Sequence, residues 1–219
     1  MEKRHVKASV KDERLVAKRR NQMVQGAVQL FKEKGFHRTT TREIARAAGF
    51  STGTLYEYIQ TKDDVLYLVC DEIYDRVHKR CEEAIQTDLG TREQLEAAID
   101  AYFRVMDDLQ DEVLVMYQEV KSLTKDTLPY VLNKELEMVD LFEQLLERCC
   151  EEGVITLSAG ERKLAAHQLF VQGQMWAFRR WVLRKHYTLS QYIDFGKKLL
   201  LDGVWQATHT ENKTPTSSS

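Results

Sequence analysis

Proline occurs only twice in 219 residues, at Pro129 and Pro215, and the ten glycines are scattered. A β-sandwich or barrel needs turn punctuation every few residues, so this chain is steered towards long helices separated by few breaks. Its length fits one large domain or a small domain joined to a larger one. With 43% hydrophobic and 30% charged residues, it can bury a substantial core under a solvated surface, which argues against global disorder.

The pattern along the chain repeats cap, amphipathic helix and break. Val24, Ala27, Val28 and Phe31 recur at helical spacing, and Gly35 is placed to end the first helix. Thr40 and Glu43 match the S/T-x-x-E capping box of a short second helix that ends at Gly49. Ser51 caps a third short helix, Thr52 to Tyr58, and Thr61 to Asp64 repeat the capping pattern ahead of a long helix to about Ile85. Further helices are predicted from Thr91 to Leu109, from Glu112 to Leu123, from Pro129 to Glu152, from Ser158 to Lys185 and from Leu189 to Ala207.

Charge divides the chain in two. Residues 1 to 62 hold 14 Lys and Arg against 6 Asp and Glu, a net +8, leaving 18 basic and 28 acidic residues, a net −10, for the rest. A basic head that attracts a polyanion is thus joined to a body that repels it. The expected organisation is a flexible basic arm or extension of the first helix at 1–18, a DNA-binding head at 19–66, a helical body at 67–207 and a disordered tail at 208–219. The first residues lack a signal-like apolar run and no stretch approaches about 20 uninterrupted apolar residues, so a cytoplasmic chain with no membrane contact is expected.

Two short helices joined by a glycine-containing turn are the helix-turn-helix arrangement, whose second helix enters the major groove with its N-terminal residues towards base edges. That places Thr52, Gly53 and Thr54 against bases. Small residues there permit close approach, and Thr offers a hydroxyl to bases or a methyl to thymine. Thr41, Arg42, Arg46, Tyr56, Tyr58 and Lys62 are candidate phosphate contacts, helped by N–H groups at the starts of the helices at Thr41 and Lys62. Ile44, Ala45, Ala48, Leu55 and Ile59 are the expected mini-core beneath.

The stretch TTTREIARAAGFSTGTLYEYIQTKDDVL resembles the DNA-binding signature of the TetR family of bacterial transcriptional regulators. The resemblance is strong over about residues 20 to 68. It implies an all-α fold, an N-terminal three-helix DNA-binding domain followed by a C-terminal helical effector-binding and dimerisation domain. By resemblance, Thr41, Thr54, Tyr56, Tyr58 and Lys62 occupy positions through which family members grip operator DNA. The sequence departs from the family at Thr52, where many members carry a basic residue, at Glu57, where an aromatic or His is frequent, and at Ile59, where Phe is usual.

The resemblance also implies a homodimer built on the last two helices, for which Leu164, Phe170, Val171, Leu199, Leu200 and Trp205 are available; each serves equally well in an intrachain core. It implies an effector pocket with Tyr102, Phe103, Met106, Met116, Tyr117, Phe142, Leu146, Gln172, Met175, Trp176 and Arg179 as lining candidates, although Met and aromatic stripes are more often plain core. The run Gln172 to Trp181 is similar to the subgroup that senses acyl-coenzyme A thioesters or fatty acids. The expected function is therefore a homodimeric repressor released from a palindromic double-stranded operator by such an effector. Alternatives are a multidrug or aromatic-compound sensor with Glu119 as counter-charge, or a DNA-tethered interaction protein without a small ligand.

An enzyme is not expected. Asp107 with Asp108 and Glu151 with Glu152 are neighbours that diverge on a helix, and no GxSxG, phosphate-loop or HExxH motif occurs. No cofactor is implied. His78 and Cys81 lie one turn apart without further ligands at a recognised spacing, so no metal site is expected, and the four cysteines read as reduced thiols.

Overall fold

The computed structural model describes residues 6–85 and 88–199, which contain helices and turns and no strand. The helices are α1 (Glu13–Lys34), α2 (Thr41–Ala47), α3 (Thr52–Tyr56), α4 (Lys62–Ile85), α5 (Thr91–Asp108), α6 (Gln110–Glu119), α7 (Leu128–Glu151), α8 (Ala159–Phe178), α9 (Arg180–Leu183) and α10 (Leu189–Lys197). No described helix is long and apolar enough to cross a membrane.

Several boundaries differ from the sequence expectation. Helix α1 starts at Glu13, inside the stretch 1–18, because the Asp12 carboxylate accepts the Arg14 and Leu15 N–H groups at 3.0 and 3.1 Å. The helix expected to run to Lys185 stops at Phe178, and a bend at Arg179 separates it from α9. The stretch expected as one helix to Leu123 ends at Glu119 and tightens into a 3₁₀ turn, Val120–Ser122. The expected helix end at 200–207, with Leu200 and Trp205, and the tail 208–219 lie outside the described residues.

Two compact units emerge, one from 6–76 with 109–135, the other from the described parts of 77–108 and 136–199. Helices α4 and α7 contribute to both. In the first unit, Met23, Val24, Ala27, Val28 and Phe31 of α1 are buried together with Ile44, Ala45, Leu55 and Ile59, so the mini-core inferred from periodicity forms, except that Ala48 is only half-buried. The α1–α2 approach is close enough that a Cβ on Gly26 would lie 3.1 Å from the Ala47 Cβ. Polar contacts join helix α6 to α1 and to the turn that follows α1. Gln25 donates to Glu112 at 3.3 Å, Lys32 donates to Asp111 at 2.5 Å, and the Phe36 N–H donates to Glu119 at 3.1 Å.

The second unit is built around aromatic rings. Tyr102 of α5 stacks on Phe170 of α8, with centroids 5.6 Å apart and 16° between planes, and meets Phe142 of α7 edge-on at 5.3 Å. Its hydroxyl donates to the Phe170 carbonyl at 2.8 Å, which satisfies a polar atom that burial would otherwise strand. Gly173 lets the ring lie directly on the α8 backbone, since a Cβ there would fall 2.2 Å from Tyr102 Cε1.

Candidate DNA-binding and effector sites

Each short helix of the head is held by its caps, because helices of five and seven residues cannot stabilise themselves. Thr40 accepts the Glu43 N–H, and the Glu43 carboxylate accepts the Thr40 N–H at 2.9 Å, closing the box inferred from sequence. Lys34 adds a 2.5 Å ion pair to Glu43. That pairing, with the Thr40 hydrogen bonds, pulls the Glu43 carboxyl down to about 2. Ser51 accepts the Thr54 N–H at 3.0 Å and starts α3. Asp64 accepts the Gln60 and Thr61 N–H groups, both at 2.9 Å, and starts α4.

The openings of α2 and α4, where anion-binding N–H groups are expected, each also carry a carboxylate: Glu43 accepts the Thr40 N–H and Asp64 accepts the Gln60 and Thr61 N–H groups, which adds negative charge there. The cationic side chains Arg42 and Arg46 are exposed on α2. Tyr56 is 49% exposed, and its hydroxyl lies 3.0 Å from the Thr41 hydroxyl, so the two present adjacent polar tips. Thr52 and Thr54 are half-buried beside an exposed Gly53.

Two predicted phosphate contacts do something else in this state. Tyr58 is only 4% exposed and, with Ile59, belongs to the core beneath α3. The Lys62 ammonium donates to the carbonyls of Phe36, His37 and Thr39 at 2.7, 3.3 and 3.0 Å and lies over the Phe36 ring. It ties the start of α4 to the loop after α1. None of these partners is near Lys62 in sequence, so no local pattern signals the role.

The predicted effector residues divide by environment. Tyr102, Phe103, Phe142 and Leu146 are fully buried in the second unit, and Met106 is nearly so. Trp176 is buried too, but its indole N–H donates to Asp107 at 2.6 Å, and Arg184 closes on the same carboxylate. Met116 and Tyr117 belong to the first unit; Met116 is buried, whereas Tyr117 is 65% exposed. Arg179 is exposed at the α8 terminus with its guanidinium over the Trp181 ring, so neither Tyr117 nor Arg179 faces an interior. Glu119, read as a counter-charge for a cationic ligand, instead accepts the Phe36 N–H and the Ser122 hydroxyl. Burial pushes the thiols of Cys70 and Cys81 up to about 12, leaving them inert as nucleophiles.

Gln172 and Met175 line an open groove of about 700 Å³ together with Leu164, His167, Val171 and Leu199. Effector and interface candidates therefore share one side of α8. Leu164, Val171 and Leu199 are 60%, 50% and 58% exposed, while Phe170 is buried against Tyr102 and contributes to the intrachain core.

Comparison with known proteins agrees with this architecture. Residues 24–67 match the family described as bacterial regulatory proteins, tetR family, and residues 88–176 match the tetracyclin repressor-like C-terminal domain. The transcriptional regulator HbdR of Aromatoleum sp. strain CIB is 30% identical over 197 residues, 90% of this chain and 85% of its own. The chain belongs to the TetR family. It is a DNA-binding transcriptional regulator and not an enzyme. The HTH-type transcriptional repressor KstR2 of Rhodococcus jostii strain RHA1 is 27% identical over 164 residues, 74% of this chain and 79% of its own. A structure of AibR in complex with isovaleryl coenzyme A and operator DNA superposes with a TM-score of 0.70 at 20% identity, covering 83% of this chain and 97% of that one.

Proposed function

We propose that this TetR-family chain is a homodimeric repressor that covers a palindromic operator and leaves it when an acyl-coenzyme A thioester or a fatty acid binds the body. The reading of the head rests on Gly53. It is exposed, its φ is not positive, and a Cβ would make only an ordinary 3.6 Å contact with Ser51 Oγ. Among the described residues nothing calls for glycine there, whereas a helix end pressed into a groove does. Thr52 and Thr54 then read base edges, and Thr41, Arg42, Arg46 and Tyr56 grip phosphates. Lys62 and Tyr58 support that surface from beneath.

The exposed apolar groove of Leu164, Val171 and Leu199 supports a two-fold interface, in which one patch meets its own copy. Two bound heads then read half-sites spaced by about 34 Å or a multiple. KstR2 supports the repressor assignment by relationship, and AibR, crystallised with an acyl-coenzyme A and an operator, supports the effector class. The division into a head at 19–66 and a body at 67–207, in a cytoplasmic protein, belongs to the same reading.

The test is selection of bound duplexes from random and genomic DNA, followed by binding of the selected duplex with and without long-chain acyl-coenzyme A. A palindromic consensus whose complex dissociates on adding the thioester supports the proposal. A consensus insensitive to acyl-coenzyme A and fatty acid removes the effector assignment, and binding without any consensus removes the operator assignment.

A further inference from the structure

Helix α3 spans only five residues, and the turn after its C-terminal end is held by the segment before α1 together with a side chain of α1. The carbonyls of Glu57 and Tyr58 follow its last turn, where a helix leaves acceptors without intrahelical partners. Ser9 supplies two donors to Glu57, its N–H at 2.8 Å and its hydroxyl at 3.2 Å. Arg20, on α1, donates to the Tyr58 carbonyl from Nε at 3.3 Å and from a terminal nitrogen at 3.1 Å. The same terminal nitrogen donates to the Val6 carbonyl, so one guanidinium joins the segment before α1 to the turn after α3. That segment is seated, because Val6 is 5% exposed and Val6, Ala8 and Val10 line a groove with Val16, Ala17 and Arg20.

We propose that residues 6–12, together with Arg20, form a strap that sets the orientation of α3, making Ser9 and Arg20 positioning residues for operator recognition. This rests on the assignment of α3 as the recognition helix. A five-residue helix has little length over which α1 and α2 can define its axis. Its N-terminal end is fixed by the Ser51 cap, and its C-terminal end is fixed by carbonyls that the strap holds. Freeing the second end leaves α3 folded but able to pivot about the first. Base-edge hydrogen bonds, which tolerate little misplacement, would weaken, whereas phosphate contacts at the ends of long side chains would adapt.

The experiment uses the full chain, the consensus duplex selected by the unmodified protein, and a scrambled duplex of the same composition. Arg20→Gln keeps the size and loses the fork and the charge; Arg20→Lys keeps the charge and loses the fork. Ser9→Pro removes the N–H donor, with Ser9→Ala, which keeps it, as its control. Consensus affinity should fall about tenfold in Arg20→Gln, Arg20→Lys and Ser9→Pro. Affinity for the scrambled duplex should stay within about twofold at equal salt after correction for the lost charge, with the salt slope of Arg20→Lys unchanged. A parallel loss on both duplexes, with a salt slope smaller by about one in Arg20→Gln and restored in Arg20→Lys, would make Arg20 a phosphate contact and overturn the strap. Unchanged consensus affinity in Arg20→Lys and Ser9→Pro also overturns it. Should Arg20→Gln lower the melting midpoint, the Ser9 pair decides: equal consensus affinities for Ser9→Pro and Ser9→Ala overturn the inference. Failure of the unmodified protein to select a consensus would instead strike the recognition-helix assignment.

Discussion

The glycine at position 53 and the carboxylate at position 43 allow stability and the proposed recognition role to be tested separately. Gly53→Ala adds a methyl that meets Ser51 Oγ at an ordinary distance and improves helix propensity, so the melting midpoint should hold or rise. On the proposed placement of α3 in the groove, DNA approaches that methyl, so consensus affinity should drop by about tenfold or more, measured by titration beside a thermal melt. Loss of stability with affinity intact would contradict this reading. Glu43 behaves oppositely, because its role is within the fold. Its carboxyl sits at about 2 against an ordinary value of 4.5, so ionisation favours the folded state above 4.5, and that contribution disappears as pH falls towards 2. Glu43→Gln should therefore melt below the unmodified protein at pH 7, with the difference shrinking below pH 4.5. A difference constant from pH 7 to pH 2.5 would exclude the carboxylate as its source.

Among the elements, the α5–α8 contact leaves the least room. Gly173 admits the Tyr102 ring against the α8 backbone, and a Cβ there would collide with a ring that is stacked on Phe170 and hydrogen-bonded to the Phe170 carbonyl. Gly173→Ala should destabilise by about 1–3 kcal/mol through overpacking, read by denaturant titration. Tyr102→Phe, which keeps the stack and loses the hydrogen bond, should cost about 1 kcal/mol. A neutral Gly173→Ala would mean that the aromatic cluster rearranges freely, as an effector pocket must. The α1–α6 attachment includes polar contacts, from Gln25 and Lys32 of α1 and from the Phe36 N–H just after it.

At the scale of the whole molecule, regulation is a coupling between effector and operator sites. A ligand that favours the released state by a few kcal/mol must, by linkage, bind more weakly when operator is present by the same factor. Long-chain acyl-coenzyme A affinity measured with and without saturating consensus duplex should differ by the ratio found for operator affinity with and without the thioester. Unequal ratios would exclude a two-site equilibrium between the same two states. The +8 head further predicts steep salt dependence of operator binding, while the −10 body keeps the rest of the chain from joining in.

The all-helical character, the Thr40–Glu43 box, the Ser51 cap and the charge division were all legible in the sequence, because capping, amphipathic spacing and net charge act over four or five residues or are simple sums. The TetR signature within residues 20 to 68 was legible for the same reason: its residues are contiguous. What only the tertiary structure decided involves partners far apart along the chain. Lys62 meets carbonyls 23 to 26 residues away, Arg20 meets one 38 residues away, and Trp176 meets a carboxylate 69 residues away. The inward turn of Tyr58, the occupation of Glu119 and the exposure of Tyr117 and Arg179 belong with them. A side chain's type states which bonds it can make, but which partner it meets is set by how helices pack, and no local spacing encodes that.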